Sequence, residues 1–270
     1  LSSSSAASDV YKRQVLAVCR RVAVVHCPQG RCHLLTAIGP PVDEFWFPRG
    51  WLENNAMASR NAVLVAKDVT KSYGDHTIVN SFSLTVHPGQ VVALTGRNGA
   101  GKSTVLRCLV GADRPTSGTI EVLGRPVSET DPEFRRSVAT VIDDLDFFPD
   151  LSVVEHLDLL ARAHGLVDAD ELVDEVLEEV QLVAQSGQLP GTLSSGQRRR
   201  LALATALVRP RKLLVLDEPE ARLDVEGVAW LSQRLKKELS QGLAIVMASH
   251  EPALVDELGA QVVELGGQRG

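Results

Sequence analysis

The sequence predicts an α/β fold: a mostly parallel core sheet flanked by helices, with an N-terminal antiparallel β subdomain and a small helical subdomain. Three observations carry this expectation. Short apolar runs at residues 91–94, 138–142, 212–217 and 243–247 read as strands buried on both faces. Helical patterns lie between and after those runs, and helices on both sides of a parallel sheet follow from that alternation. The run at 91–94 opens directly into a glycine-rich loop, which leads into an amphipathic stretch at 104–110.

In chain order, residues 63–66 and 78–86 alternate or cluster apolar side chains as strands do, with the turn Tyr73-Gly74-Asp75 between them. His87-Pro88-Gly89 breaks the chain before the strand at 91. Another strand and turn lie at 118–122, and the strand at 138–142 runs into the acidic loop Asp143-Asp144-Leu145-Asp146. Beyond Pro149 the period becomes helical: residues 152–164 carry Val153, Leu157, Leu160 and Ala161 on one face and close at Gly165. A second helix at 170–182 sets Leu172, Val173, Val176, Leu177 and Val180 against an acidic side. These two form the helical subdomain, at about residues 150–195. A helix is expected at 198–208, with Arg198-Arg199-Arg200 on a solvated face.

Composition bounds the function. A chain of 270 residues with 44% hydrophobic and 23% charged residues can bury a substantial core. A net charge of −6 argues against a general nucleic-acid binder. No apolar stretch is long enough to cross a membrane, so any membrane role must come through a partner. Residues 1–56 read differently from the rest. Their opening run resembles translated adapter sequence, and Arg20 and Arg21 interrupt the apolar stretch that a signal peptide would need. His26-Cys27 and Cys32-His33 lack the spacing of a structural zinc site, and no second ligand pair follows. Met57 reads as the natural start, residues 1–56 as a non-native or disordered leader, and residues 57–270 as the folded domain.

The chemistry gathers around Gly96-Arg97-Asn98-Gly99-Ala100-Gly101-Lys102-Ser103. Glycines let successive backbone N–H groups turn inward on an anion, and the helix behind them adds the positive end of its dipole. Lys102 is then suited to the terminal phosphates of a nucleotide, and the Ser103 hydroxyl to Mg²⁺. The strand at 212–217 ends in Asp217 and Glu218, where α/β sheets place ligand groups. Asp217 suits Mg²⁺ through water and Glu218 suits polarising an attacking water, although a solvated turn fits the same pair. Leu193-Ser194-Ser195-Gly196-Gln197 stands at a helix start and forms another anion-ready site. Ala248-Ser249-His250 ends a strand with a histidine; Tyr73 offers a ring for adenine and equally for packing.

In this order and spacing, these stretches together resemble the ATP-binding cassette (ABC) family of P-loop ATPases, over about residues 63–265. Gly96 to Ser103 resembles the Walker A loop, residues 193–197 the family signature, and residues 213–217 Walker B. Glu218 takes the catalytic-base position, Leu223-Asp224 the D-loop, His250 the switch histidine and Tyr73 the adenine-stacking aromatic. The resemblance implies ATP and Mg²⁺, with two cassettes packed head to tail around each nucleotide. ATP would then touch Tyr73, Gly96, Arg97, Asn98, Gly99, Ala100, Gly101, Lys102, Ser103 and Thr104 of one cassette. The other cassette would contribute Ser194, Ser195, Gly196, Gln197 and Asp224. Glu218, His250 and Lys102 would carry the catalysis, and Ser103, Asp217 and Asp143 would serve the metal.

Two positions depart from the family pattern. Ser195 stands where the signature usually has its first glycine, and Asp143 stands where a glutamine usually leads into the helical subdomain. The resemblance implies the ATPase subunit of a membrane transporter. Such a subunit is cytoplasmic, held at the membrane by a separately encoded permease, and partnered by a second cassette. The short helical segment at 152–188 resembles those of bacterial exporters. Alternatives within the family are a soluble ATPase acting on ribosomes or DNA and an ATP-sensing scaffold. Ribosome-acting relatives usually carry two cassettes and chromosome-structuring relatives long coiled coils, and neither feature is present in the sequence. Retention of Glu218 and His250 argues against the scaffold.

Overall fold

The computed structural model describes residues 22–25, 33–36, 62–142 and 145–266. Most of the expected leader, with His26, Cys27 and Cys32, and Asp143 lie outside the described residues. Within the leader, the backbones of β1 (Val22–Val25) and β2 (His33–Thr36) pair antiparallel.

The first large unit is an antiparallel sheet. β3 (Leu64–Tyr73) and β4 (His76–Val86) form a hairpin whose last pair is Tyr73 opposite His76. Both strands run farther than their apolar runs, because register shifts between Ala66 and Val69 and again near Lys71 interrupt the alternation. Asp68 and Ser81, at φ 49° and 47°, mark these bulges. β5 (Val91–Thr95) and α1 (Lys102–Leu109) follow, and then β6 (Ser117–Val122) and β7 (Arg125–Pro126) complete the sheet in the order β4-β3-β6-β7.

α2 (Pro132–Ser137) leads into β8 (Val138–Val141), and α3 (Val153–Ala163) and α4 (Ala169–Glu179) make the helical subdomain. The chain returns through α5 (Ser195–Leu207), β9 (Leu213–Asp217), α6 (Val225–Ser240), β10 (Ala244–Ala248), α7 (Pro252–Glu257) and β11 (Gln261–Glu264). β11, β5, β10, β9 and β8 lie in that order in one sheet, and every neighbouring pair is parallel. The expected α/β class and parallel core are therefore present.

Alternation along the parallel strands divides the interior. Val92, Leu94, Val215 and Val246 join Leu106 and Leu109 of α1 and the inner face of the antiparallel sheet. Val91, Ala93, Leu216 and Met247 face the other way, toward Leu157, Leu201 and Leu231 of the helices. Burying such side chains contributes about 1.5–3 kcal/mol each, so α1 is fixed between the two sheets by its apolar side. Register then sets the site: Ala248 pairs with both Leu94 and Asp217, which brings the C-terminal ends of β5, β10 and β9 to one edge.

Three helix limits bear on the reading from sequence. α3 matches it, with Ser152 and Glu155 closing a capping box and Gly165 at φ 94° beyond the last turn. α4 stops earlier than expected because Gln181 takes φ 58°, and Leu182 N–H returns to Leu177 C=O at 2.9 Å. That is a Schellman closure made without glycine. α5 starts three residues before the expected 198, at Ser195, because Ser194 caps it.

Candidate nucleotide-binding and hydrolysis site

The phosphate loop joins the end of β5 to α1. Gly96 passes so close to β11's exit that a Cβ would sit 2.5 Å from Leu265 O. Gly101, at φ 94°, caps α1, and a Cβ there would press on Ile78 and Val79 at 3.1–3.3 Å. Among the described residues no side-chain cap closes the first turn of α1, which suits its N–H groups to an anion. Lys102 is buried at 6% exposure, and its ammonium donates to Gly96 O at 3.0 Å and Arg97 O at 3.4 Å. It is folded across the loop that bears Asn98, Gly99 and Ala100. Phosphate oxygens would replace neutral carbonyl acceptors with charged ones, which a buried ammonium favours. Ser103 and Thr104 follow Lys102 in the first turn of α1.

The second component is the edge where β9 and β10 end. Asp217 is buried, while Glu218 takes φ 44° and turns its carboxylate outward, half exposed. Glu218 N–H donates to Ala248 O at 2.8 Å, which ties this turn to the adjacent strand. His250 Nε2 then lies 3.4 Å from Glu218 Oε1, so two residues 32 positions apart in sequence meet at one point. The carbonyls of the same turn are held from below: Arg199 Nη2 donates to Asp217 O at 2.6 Å and Glu218 O at 2.5 Å, and its Nε to Pro219 O at 3.3 Å.

This last contact corrects the solvated reading of the arginine triplet. Arg198 is exposed, but Arg199 and Arg200 are 8% and 9% exposed. Arg200 donates from Nη1 to Val180 O at 3.4 Å and from Nη2 to Asp224 Oδ1 at 3.0 Å. Polar residues on a helix face ordinarily mark solvent; here the guanidinium groups are buried and donate to backbone oxygens of the fold.

Tyr73 ends β3 with its residue 43% exposed. Its hydroxyl donates to Asp113 Oδ2 at 2.7 Å, and Arg107 of α1 grips the same oxygen at 3.1 and 2.9 Å. Lys71 Nζ lies 4.7 Å from the ring centroid, so one face of the ring carries a cation. Burial alone would raise the Asp113 carboxyl, but the hydrogen bonds from Tyr73 and Arg107 outweigh it and hold the group below the ordinary range. Burial and the Asp113 hydrogen bond push the Tyr73 phenol up. Lys71, Arg107 and Asp113 had no signal in the sequence, because the contact that joins Asp113 to Tyr73 crosses 40 residues of chain.

The signature residues stand at the start of α5. Ser194 Oγ accepts from Gln197 N–H at 3.2 Å, and Gln197 Oε1 accepts from Ser194 N–H at 2.9 Å. Their side chains are committed to this capping box, which leaves Ser195 and Gly196 in the first turn. Asp224 caps α6, accepting from Gly227 N–H at 2.9 Å as well as from Arg200, and the Gly227 amide leads in holding its carboxyl below the usual range. Among the described residues, no hydrogen bond or ion pair joins 194–197 or Asp224 to the phosphate loop. Ser103 and Asp217 are hard oxygen donors of the kind Mg²⁺ takes alongside nucleotide phosphates, so the residues present fit that ion.

The model of the ABC transporter family matches residues 79–221. The chain belongs to that family. Over 193 residues this ABC chain is 41% identical to the Nod factor export ATP-binding protein I of Cupriavidus metallidurans, covering 70% of this chain and 63% of that protein. It is 36% identical to the SkfA peptide export ATP-binding protein SkfE of Bacillus subtilis, over 74% of this chain and 84% of that one. It is also 36% identical to the spermidine/putrescine import ATP-binding protein PotA of Pseudomonas aeruginosa, over 70% of this chain and 53% of that one. The fold resembles a dimeric post-hydrolysis state of an ATP-binding cassette bound to ADP and Pi, with a TM-score of 0.68 and 25% identity over 75% of this chain and 94% of the other.

Proposed function

We propose that this chain is the ATP-binding and ATP-hydrolysing subunit of an ABC transporter, driving a separately encoded permease. The observation that carries the reading is the convergence of Glu218 and His250, 3.4 Å apart, on the sheet edge to which the Lys102 loop belongs. Lys102 and the first-turn N–H groups of α1 bind the terminal phosphates. Glu218 accepts a proton from the attacking water, and His250 fixes the direction of that carboxylate. Ser103 and Asp217 would hold Mg²⁺, which would supply positive charge against the phosphates. The Tyr73 ring, pinned at its hydroxyl, offers its surface to adenine.

Among the described residues the phosphate loop and the signature have no hydrogen bond or ion pair between them, which supports a site completed by a second cassette. Ser194, Ser195, Gly196, Gln197 and Asp224 of one cassette then face the nucleotide of the other. Among the described residues no helix is long and apolar enough to cross a membrane. In this reading the chain is held at the cytoplasmic face by the permease. Burial of Arg199 and Arg200 on protein oxygens removes the best candidate for a nucleic-acid patch. The relatives include export and import proteins.

The test is Glu218→Gln. ATP binding should persist while Mg²⁺-dependent turnover falls on the order of 10²-fold or more, and light scattering should show an ATP-bound dimer. Turnover within about threefold of wild type would remove Glu218 from the chemistry. A permease from the neighbouring reading frame should stimulate the wild-type rate.

A further inference from the structure

Glu220 stands two residues beyond the proposed base and has no part in the mechanism above. Its Oε1 accepts two hydrogen bonds, from Ser249 Oγ at 2.7 Å and from His250 N–H at 2.9 Å. Ser249 is 3% exposed, and its Oγ in turn accepts Glu251 N–H at 3.1 Å. Glu220 Oε2 is buried without a hydrogen-bond partner.

We infer that Glu220 is a positioning residue that sets His250 against Glu218. The inference rests on the hydrolytic reading for its consequence, but its structural content stands separately. β10 ends at Ala248, and α7 begins at Pro252. No strand ladder directs the three residues between them. The single carboxylate oxygen of Glu220 gathers the Ser249 hydroxyl and the His250 amide and so fixes the backbone from which the imidazole projects. Glu220 also belongs to the turn that carries Glu218, in which Ala221 N–H donates to Glu218 O at 2.9 Å. One side chain therefore references both partners of the 3.4 Å contact to the same turn. A buried carboxylate oxygen left unpaired is costly, and its retention here is explained by the two donors that its companion oxygen holds.

Two measurements on the full chain test this, with Glu220→Ala and the near-isosteric Glu220→Gln, which keeps an acceptor oxygen. Amide hydrogen exchange, read by NMR without nucleotide, should be faster at His250 in Glu220→Ala by roughly tenfold, near wild type in Glu220→Gln, and unchanged at Val246 within β10. Turnover should fall at least about tenfold in Glu220→Ala with KM for ATP within about twofold, and Glu220→Gln should restore most of it. In a His250→Ala background the Glu220→Ala change should cost less than about twofold, because the residue acts through His250. Unchanged His250 exchange in Glu220→Ala overturns the inference, as does an undiminished loss in the His250→Ala background. A wild-type chain that fails to hydrolyse ATP would overturn the functional reading instead, and the exchange measurement would still decide the position of His250.

Discussion

Arg199→Met isolates what the buried guanidinium contributes, since methionine keeps most of the apolar stem and removes the donors. Three carbonyls are involved, at 2.6, 2.5 and 3.3 Å, but Glu218 O also accepts the Ala221 N–H at 2.9 Å. Counting two charge-assisted bonds rather than three, at about 1.5–3 kcal/mol each, the loss is roughly 3–6 kcal/mol. For a folded chain of this size, each kcal/mol shifts Tm by about 2–4 °C, so the melting point should fall by roughly 6–24 °C. Arg199→Lys should fall between, because an ammonium is a point donor that cannot span the turn. Arg198→Met, one residue earlier and exposed, should stay within about 0.5 kcal/mol of wild type. Urea and thermal unfolding measure all three. If Arg199→Met loses under about 1 kcal/mol, or matches Arg198→Met, the carbonyl clamp is not what holds the Glu218 turn.

Acid should weaken the fold through two buried histidines: burial lowers His156 to about 4, and burial with Arg209, Arg136 and Arg135 nearby lowers His164 to about 2, both from 6.5. The unfolded chain binds the extra protons, so stability falls as pH drops below about 6.5, by about 2 kcal/mol per histidine between pH 7 and 5. Unfolding free energies that stay level across that window would refute it, and His156→Leu should flatten part of the slope. At the departure from the family pattern, Asp143→Asn should leave the isolated ATPase nearly unchanged and reduce stimulation by the permease. A several-fold rise in the Mg²⁺ needed for half-maximal rate would show instead that Asp143 serves the metal.

What the sequence made legible follows from how each element is buried. β5, β9 and β10 are covered on both faces, so their apolar runs are short and continuous, and nothing in a surface loop imitates them. The phosphate loop is legible because close packing and positive φ at Gly96 and Gly101 restrict the residue type. The Glu218 and His250 pairing was visible only as two strand ends; their 3.4 Å contact depends on the register of β9 with β10, which no local pattern encodes. The early end of α4 was hidden because Gln181, rather than glycine, adopts the left-handed turn. Glu220 gave no signal, since its partners Ser249 and His250 lie 29 and 30 residues away.

The arginines show why charge patterning misled where apolar patterning did not. α5 is buried from Arg199 through Leu207, so it has no single apolar stripe against which a polar face could be judged. Successive residues on a helix point about 100° apart, and Arg199 and Arg200 use that divergence to reach different parts of the fold. Arg199 holds the turn after β9, whereas Arg200 joins the end of the helical subdomain at Val180 to Asp224 at the head of α6. Farther along, Arg209 donates to Val138 O at 2.7 Å, at the start of β8. Arg211 donates to Ala206 O at 2.8 Å and to Glu238 of α6. Each donates to backbone oxygens where elements of the fold meet. A hydrophobic side chain there would remove these hydrogen bonds, and a lysine could replace only some of them. Their positions therefore follow from where separate elements meet, a property of the assembled fold that neither the triplet 198–200 nor a net charge of −6 discloses.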